Sequence, residues 1–185
     1  MSADEERQFF IRAQQGDMHA FRLLVESYMK QAYNIAYGVV SDHDDAQDVA
    51  QESFVRIYQS LKSFRGDAQF STWLYRIVMN VSLNHVTKRK IKIGREVRVP
   101  EQAMLAIEAD TTPQYSPDMR QHVERALHQL PTLQRSVVIL RHLNGLSTKQ
   151  VSGILRCSEG TVKTHLHRGM KKMKTLLGFL ENEIV

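Results

Sequence analysis

Residues 130–172 read LPTLQRSVVILRHLNGLSTKQVSGILRCSEGTVKTHLHRGMKK. Ser147 is placed to cap a helix, and Gln150 can bond back to the cap amide, which is the S-x-x-Q form of the capping box. After a short turn at residues 156–158, Ser158 is placed to cap a second helix. Apolar residues follow each cap at helical spacings of three and four. They are Val151, Ile154 and Leu155, then Val162, Leu166, Met170, Met173 and Leu177. The stretch predicts a helix-turn-helix.

The outward face of the second helix carries hydroxyl groups and cations. Its residues are Thr161, Lys163, Thr164, His167, Arg168 and Lys171. A helix that is held by its apolar face and presents such groups suits the major groove of duplex DNA. Two amphipathic helices can also meet at a turn while the cations merely form a solvated face. We favour duplex binding because the caps, the turn and the cation placement agree with one another.

The chain has 185 residues, a formal net charge of +5 and a single cysteine, Cys157. This length allows one or two domains, and the charge is compatible with a polyanionic partner. One cysteine excludes an internal disulfide and fits a reducing compartment. Because the sequence shows neither a signal peptide nor an apolar run of membrane-spanning length, we expect a soluble, cytoplasmic protein without membrane insertion.

A proline-rich acidic stretch divides the chain. Pro100, Pro113 and Pro117 lie close together, and residues 99–119 contain four acids but no Lys or Arg. A structureless connection of this length is unusual inside a compact domain. We therefore predict a domain at residues 1–95, a linker at 96–119 with a short helix near 102–108, and a second domain at 120–185.

Both predicted domains are helical. In the first, apolar residues recur at spacings of three and four in three runs. The runs are Phe21, Leu24, Tyr28, Ala32, Ile35 and Val39; Ala46, Val49, Ala50, Phe54, Ile57 and Leu61; and Phe70, Trp73, Leu74, Ile77, Val78 and Val81. No segment alternates convincingly with period two. The prediction is an all-α fold of two small helical domains joined by a flexible acidic linker, the C-terminal one a helix-turn-helix.

Charge is distributed unevenly along the chain. Residues 42–52 hold five carboxylates and no Lys or Arg, whereas residues 88–98 hold six cations and one acid. The acidic helix is either a solubilising face or a docking surface for a basic partner, and the residues alone leave both open. The basic stretch is either a solvated helix end or a contact with a nucleic-acid backbone, and we favour the second.

Two segments resemble conserved regions of bacterial RNA polymerase sigma factors. DDAQDVAQESFVRIYQSLKSFRGDAQFSTWLYRIVMN, residues 44–80, resembles the second region, and GLSTKQVSGILRCSEGTVKTHLHRGMKKM, residues 145–173, resembles the fourth. A chain of this size without the third region is similar to the extracytoplasmic-function class, or group IV. The resemblance implies a non-enzymatic subunit, without cofactor or metal, that binds core RNA polymerase and directs promoter-specific transcription initiation, commonly in a stress response.

The same resemblance implies three partners. The acidic helix would dock on the clamp of the largest polymerase subunit, and the chain would also meet the flap of the second-largest subunit. Promoter DNA is the second partner and an inhibitory anti-sigma factor the third. The residues implied in clamp docking are Asp44, Asp45, Asp48, Gln51 and Glu52.

Residues 64–70 match a family loop that captures a base flipped out of the melted −10 promoter element. Gly66 permits a tight turn, and polar neighbours offer groups for a phosphate or a base edge. Phe64 and Phe70 can instead close an ordinary turn as core residues, where Trp73 is also expected. On the following helix we expect Tyr75 to point outward. The implied −10 contacts are Phe64, Arg65, Gly66, Asp67, Gln69, Tyr75, Arg76, Asn80, Asn84, Lys88 and Arg89.

The second helix of the helix-turn-helix would read the duplex −35 element. The implied contacts are Ser158, Glu159, Gly160, Thr161, Lys163, Thr164, His167, Arg168 and Lys171. Some positions depart from the usual family pattern, with Arg156 in place of Gly in the turn, Asn84 in place of Asp, and Gly169 in place of Ala. Gly169 is predicted to cost about 1 kcal/mol of helix propensity relative to Ala.

Two other classes of function compete with a sigma factor. A stand-alone DNA-binding regulator needs the helix-turn-helix but neither the acidic helix nor the base-capturing loop. An enzyme needs a nucleophile, a phosphate-binding loop or a metal site, and no such motif is evident in the sequence. His165 and His167, for example, are two residues apart on a predicted helix and face different ways.

Overall fold

The computed structural model of the chain describes residues 2–64, 66, 69–95 and 117–178. Within these ranges the regular structure is entirely helical, which confirms the predicted all-α fold. The helices are α1 (Ala3–Gln14), α2 (Met18–Val40), α3 (His43–Ser60), α4 (Phe70–Arg95), α5 (Pro117–His128), α6 (Thr132–Val138), α7 (Thr148–Leu155) and α8 (Glu159–Leu177). A 3₁₀ turn at Leu61–Ser63 extends α3, and a π-helical turn at Ile139–Leu143 extends α6.

The chain divides into two compact units, Met1–Lys92 and Ile93–Val185. Residues 96–116, which include the short helix predicted near 102–108, lie outside the described residues. Helix α5 begins at Pro117, inside the stretch predicted as linker. Proline is well suited to this place because its missing N–H would have no partner in the first turn of a helix.

The first unit is organised around the three predicted apolar runs. Most of their residues are buried, and Leu24, Ile35, Ile57 and Leu74 are almost completely so. Side-chain caps begin the helices: Ser2 forms a capping box on α1, Asp17 caps α2 and Asp42 caps α3. Each cap satisfies amide N–H groups that have no partner within their helix.

Helix α1 is joined to the rest of the first unit by polar and aromatic contacts. The Tyr28 hydroxyl of α2 donates a hydrogen bond to the Glu6 carboxylate. The pKa of Tyr28 is raised mainly by burial and, as the second cause, by this hydrogen bond. Phe10, which is 8% exposed, packs among Phe64, Phe70 and Trp73. The N-terminal helix is therefore part of the core of the first unit.

The second unit is built on α8. Ala126, Leu127, Leu130, Val138 and Met173 form a buried cluster. Gly169 explains how closely α8 approaches α6, because a Cβ atom added there would lie 2.9 Å from Cγ2 of Val138. Gly169 thus lowers the helix propensity of α8 but allows α8 to pack closely against α6.

No helix in the described part of the chain is long and apolar enough to cross a membrane. The same residues contain no group of three or more His, Cys, Asp or Glu side chains arranged to hold a metal ion.

Candidate protein and nucleic-acid interfaces

One side of α3 presents the predicted docking residues, which we call the acidic face: Asp44, Asp45, Asp48, Gln51 and Glu52. The opposite side of α3, including Ala46, Val49 and Ala50, is buried. The Asp44 side chain is almost fully exposed, and Asp48 and Gln51 are also exposed. Glu52 is half-exposed and accepts a hydrogen bond from Nε of Arg56 one turn later, at 3.0 Å. The acidic face is therefore solvent-exposed over most of its length.

Asp45 differs from the other residues of the acidic face because it contacts α4. Its Oδ2 atom accepts a hydrogen bond from Nη1 of Arg89 at 2.9 Å and lies 3.1 Å from Nε2 of His85. The family resemblance implies different partners for Asp45 and Arg89, polymerase for one and DNA for the other. In this structure the two residues bind each other, and His85, which sequence reasoning missed, joins them.

Phe64 stacks on Trp73 with ring centroids 4.4 Å apart and meets Phe10 edge-on at 5.2 Å. Phe70 and Trp73 are buried, 3% and 5% exposed, which confirms the core role expected for Trp73 and the core alternative for Phe70. Phe64 is half-buried. Its ring is therefore already stacked within the protein on one side.

The segment after Phe64 is exposed where it is described. Gly66 has φ +78°, a left-handed conformation that glycine adopts without strain, as the predicted tight turn requires. Gln69 is exposed as well. Arg65 and Asp67 lie outside the described residues. One further residue contacts the start of this segment: Nε2 of Gln14 donates hydrogen bonds to the carbonyls of Leu61, at 2.9 Å, and Phe64, at 2.8 Å.

A polar stripe runs along α4. Arg76 and Asn84 are exposed and Asn80 is half-buried, as their spacing predicts. Lys88 and Arg89 continue this exposed surface towards the end of the helix. The side chains of Lys90, Lys92 and Arg95 lie outside the described residues.

The outward orientation predicted for Tyr75 is wrong. Tyr75 is 7% exposed, and its hydroxyl donates a hydrogen bond to Oε1 of Gln31 on α2 at 3.1 Å. Burial also raises its pKa. The physical reason is that α4 is buried on a broad side: Trp73, Leu74 and Tyr75 are three consecutive buried residues, which a narrow helical stripe would not contain.

The helix-turn-helix has the predicted local geometry. Both bonds of the Ser147–Gln150 capping box are present, at 3.2 and 2.8 Å. Arg156 takes a left-handed conformation, φ +53°, at the turn, where its N–H bonds to the carbonyl of Ser152. Ser158 caps α8 by accepting a hydrogen bond from the Thr161 amide at 3.1 Å.

The exposed face of α8 separates into bonded hydroxyl groups and projecting cations. The hydroxyls of Ser158 and Thr161 bond each other at 2.8 Å, and the Thr164 hydroxyl donates to the carbonyl of Gly160 at 2.9 Å. Glu159 and Gly160 are exposed at the start of the helix. Three exposed cations and one exposed histidine then form one surface, which we call the cationic row: Lys163, Arg168 and Lys171, with His167.

Lys172 is a neighbouring cation that does not belong to the cationic row. Although it follows Lys171 directly, its Nζ atom donates a hydrogen bond to the carbonyl of Gln129 at 2.7 Å. Lys172 therefore helps to hold α8 against the end of α5. Its structural role cannot be told from the sequence, where it reads as one more cation of a basic run.

Comparisons with known proteins show which family the chain resembles. The profile of Sigma-70 region 2 matches residues 24–91, and that of Sigma-70 region 4 matches residues 120–173. The chain is 31% identical to the RNA polymerase sigma-H factor of Pseudomonas aeruginosa, with 96% of each chain covered. It is 35% identical to the ECF RNA polymerase sigma-E factor of Haemophilus influenzae, over 88% of this chain and 90% of that one.

The fold is also found in a solved structure. The sigma factor RpoE of Bartonella quintana, crystallised with the anti-sigma factor NepR, matches with a TM-score of 0.72 and 22% identity over 85% of this chain and 96% of that one. The two region profiles, the near full-length relatives and the shared fold lead to one identification. The chain belongs to the extracytoplasmic-function class of bacterial RNA polymerase sigma factors and carries sigma-70 regions 2 and 4.

Proposed function

We propose that this sigma factor docks on the clamp of the largest polymerase subunit through the acidic face of α3. The observation that carries the proposal is an exposed surface of three acids, Asp44, Asp48 and Glu52, with Gln51 beside them, on a helix whose other side is buried. A basic partner helix would complement it electrostatically, which speeds encounter and fixes register. We also propose a contact with the flap of the second-largest subunit. The domain boundaries, residues 1–95, the linker 96–119 and residues 120–185, are proposed as well.

The −10 element is proposed to meet the first unit between Phe64 and Arg89. Gly66, Gln69, Arg76, Asn84 and Lys88 are exposed and support this assignment. Phe64 and Asn80 are half-buried and would line the edge of the surface, while Arg65 and Asp67 stay as sequence-based proposals. Tyr75 is better regarded as support for this surface than as a direct contact, since it is buried and bonded to Gln31.

The −35 duplex is proposed to meet the cationic row and the first turn of α8. The side chains of the row can neutralise phosphates or reach base edges in the major groove. Ser158, Thr161 and Thr164 are already bonded within the helix. They would therefore shape the start of α8 and donate to phosphate oxygens only as secondary contacts. Glu159 is suited to accept a hydrogen bond from a cytosine amino group.

Promoter opening by this chain needs no covalent step. Contacts to an unpaired base, about 1–3 kcal/mol per base by stacking, offset the stacking that the base loses in the duplex. Core polymerase and two DNA contacts then act together on one promoter.

The test is transcription with bacterial core polymerase on fragmented genomic DNA, with and without the chain, followed by mapping of RNA 5′ ends. We expect discrete start sites that depend on the chain and share two upstream sequence motifs. The absence of new start sites, together with retained duplex binding, would instead favour a stand-alone regulator.

A pair of charge reversals tests the docking surface in the same assay. Glu52→Lys should abolish polymerase binding, whereas Glu26→Lys should not. The two glutamates are matched, because each is half-exposed and bonds an Arg one turn away on its own helix. Equal effects of the two substitutions would show that the acidic face of α3 has no special role.

We also propose control by an anti-sigma factor, and a cytoplasmic location shared with the polymerase. The proposal is supported by the likeness to RpoE of Bartonella quintana, which was crystallised with one. Native purification from unstressed cells should yield a stoichiometric partner that inhibits the transcription assay and is relieved by excess sigma factor. A chain recovered alone and fully active from such cells would contradict it.

A further inference from the structure

Gln14 lies at the end of α1 and reaches across the first unit to a single short turn. Its Nε2 atom donates to the carbonyl of Leu61 and to the carbonyl of Phe64, 47 and 50 residues further along the chain. Helix α1 precedes residue 24, where the match to the region 2 profile begins. The contact therefore joins a helix outside the family profile to the segment proposed to capture a base.

The two carbonyls lie at the end of the 3₁₀ turn that extends α3, where carbonyls run out of partners within their own helix. The Leu61 carbonyl also accepts a hydrogen bond from the Phe64 N–H at 3.3 Å, so Gln14 is its second donor. A primary amide carries two N–H donors, so one side chain satisfies both acceptors. Losing this donor removes the bond to the part-buried Phe64 carbonyl and leaves the Leu61 carbonyl with the Phe64 N–H as its donor.

Helix α1 also fixes the Phe64 ring. Phe10, one turn before Gln14, packs edge-on against Phe64 at 5.2 Å and against Trp73 at 6.3 Å. Backbone and side chain of Phe64 are thus both held by α1, immediately before the exposed residues Gly66 and Gln69. An error in the direction of the chain at Phe64 would be passed directly to those two residues.

We propose that Gln14 is a positioning residue for base capture at the −10 element. By bonding the carbonyls of Leu61 and Phe64, it fixes Phe64, the residue from which the chain leaves the end of α3. This inference rests on the proposed function of that segment. It adds the N-terminal helix to the machinery of promoter opening, although α1 itself touches no DNA in this proposal.

The experiment uses the full chain with core polymerase on a promoter found by the start-site mapping described above. An abasic nucleotide is placed in turn at each −10 position, on one strand and then on the other. With the unaltered chain, we expect loss of the captured base to reduce transcript yield by about tenfold. The ratio of yields with and without the base then measures how well the pocket is positioned.

Three variants test whether that ratio depends on Gln14. Gln14→Met keeps the length of the side chain but donates nothing, and the tenfold ratio should fall to about twofold because a displaced loop no longer distinguishes base from gap. Gln14→Lys restores N–H donors on a side chain one bond longer and should recover most of the ratio. Gln15→Met changes the neighbouring, exposed glutamine and should leave the ratio unchanged.

A purely structural role for Gln14 predicts a different pattern. If Gln14→Met lowers transcription equally on intact and abasic promoters, so that the ratio stays at about tenfold, the positioning role is overturned. If no abasic position affects even the unaltered chain, the proposed base capture is wrong and the inference about Gln14 falls with it. These two failures are distinguished by the unaltered chain alone.

Discussion

The two candidate DNA surfaces of this sigma factor are held in opposite ways. The start of α8 is fixed by bonds between near neighbours, such as Ser158 with Thr161 and Thr164 with Gly160, three and four residues apart. The proposed −10 surface is fixed by bonds that span 44 to 50 residues, as in Gln31 with Tyr75 and Gln14 with Phe64. One surface is local in sequence and the other is assembled from distant parts of the chain.

This difference determines where each surface can be damaged. Substitutions outside residues 158–177 reach the first turn of α8 mainly by changing the packing beneath the helix, because the bonds that shape that turn lie within residues 158–164. The −10 surface depends on side chains of α1 and α2 that touch no DNA in the proposed complex. We therefore expect remote substitutions to alter −10 recognition more often than −35 recognition.

The largest effect is expected from Phe10, whose ring contacts three other aromatic rings. Phe10→Ala should lower the free energy of unfolding of the first unit by about 3–5 kcal/mol, because it removes a buried ring from a packed cluster. Trp73 is the only tryptophan in the chain, so its fluorescence during denaturation reports on this unit. Phe9→Ala is the matched control, since Phe9 is only half-buried, and an equal loss there would contradict the special role of Phe10.

A smaller, opposite-signed pair of effects is expected for two glycines of the second unit. Gly169→Ala should lower its stability by about 1–3 kcal/mol, because the new Cβ would meet Val138 at 2.9 Å and the buried, β-branched valine has little room to move. Gly153→Ala should instead stabilise it by about 1 kcal/mol, since nothing lies within 4 Å of that position in α7. Thermal denaturation followed by circular dichroism measures both. A stabilising Gly169→Ala would show that α8 can move away from α6.

The same distinction between local and distant contacts explains how far the sequence could be read. Caps, the turn and the apolar stripes are determined by residues only a few positions apart. The structure confirms Ser147, Gln150 and Ser158 in the roles that their spacing predicts. Gln14 and His85 were missed because each acts on a segment more than 35 residues away. No periodicity along the chain encodes that distance.

Asp45 and Tyr75 show the same limit for residues to which the sequence analysis did assign a role. The family resemblance assigns Asp45 to polymerase docking, and the phase of Tyr75 beside the apolar stripe predicts an outward side chain. Asp45 also bonds Arg89 and stays a proposed docking residue, whereas Tyr75 is buried and bonds Gln31, so its outward prediction is wrong. In both cases the partner helix supplies a contact that the local pattern does not encode.

A modest effect on DNA binding should separate two adjacent lysines on α8. Lys171→Ala should reduce the slope of log affinity against log salt by about 0.9, since one phosphate contact is lost. Lys172→Ala should leave that slope unchanged, because Lys172 bonds the carbonyl of Gln129. Fluorescence anisotropy with a duplex that carries the mapped −35 motif, over a range of salt concentrations, measures both slopes. Equal changes would mean that the whole basic run binds DNA without selection.

The smallest expected effect concerns Arg156, which adopts φ +53° at the turn of the helix-turn-helix. A non-glycine residue is strained in this conformation, so Arg156→Gly should stabilise the second unit by about 1 kcal/mol. Arg156→Ala should give no such gain, because alanine keeps the strain and loses only the charge. Thermal denaturation of the two variants therefore separates backbone from charge.

Measuring duplex affinity in the same two variants completes the comparison at Arg156. If both lose affinity equally, the arginine is kept for a phosphate contact at the expense of backbone strain, and the −35 surface extends from α8 into the turn. If neither loses affinity, the surface ends at Ser158 and the strain at Arg156 has no role in binding. A loss in Arg156→Gly alone would mean instead that the strained turn itself orients α8 in the groove, which would make even this local surface depend on more than its own helix.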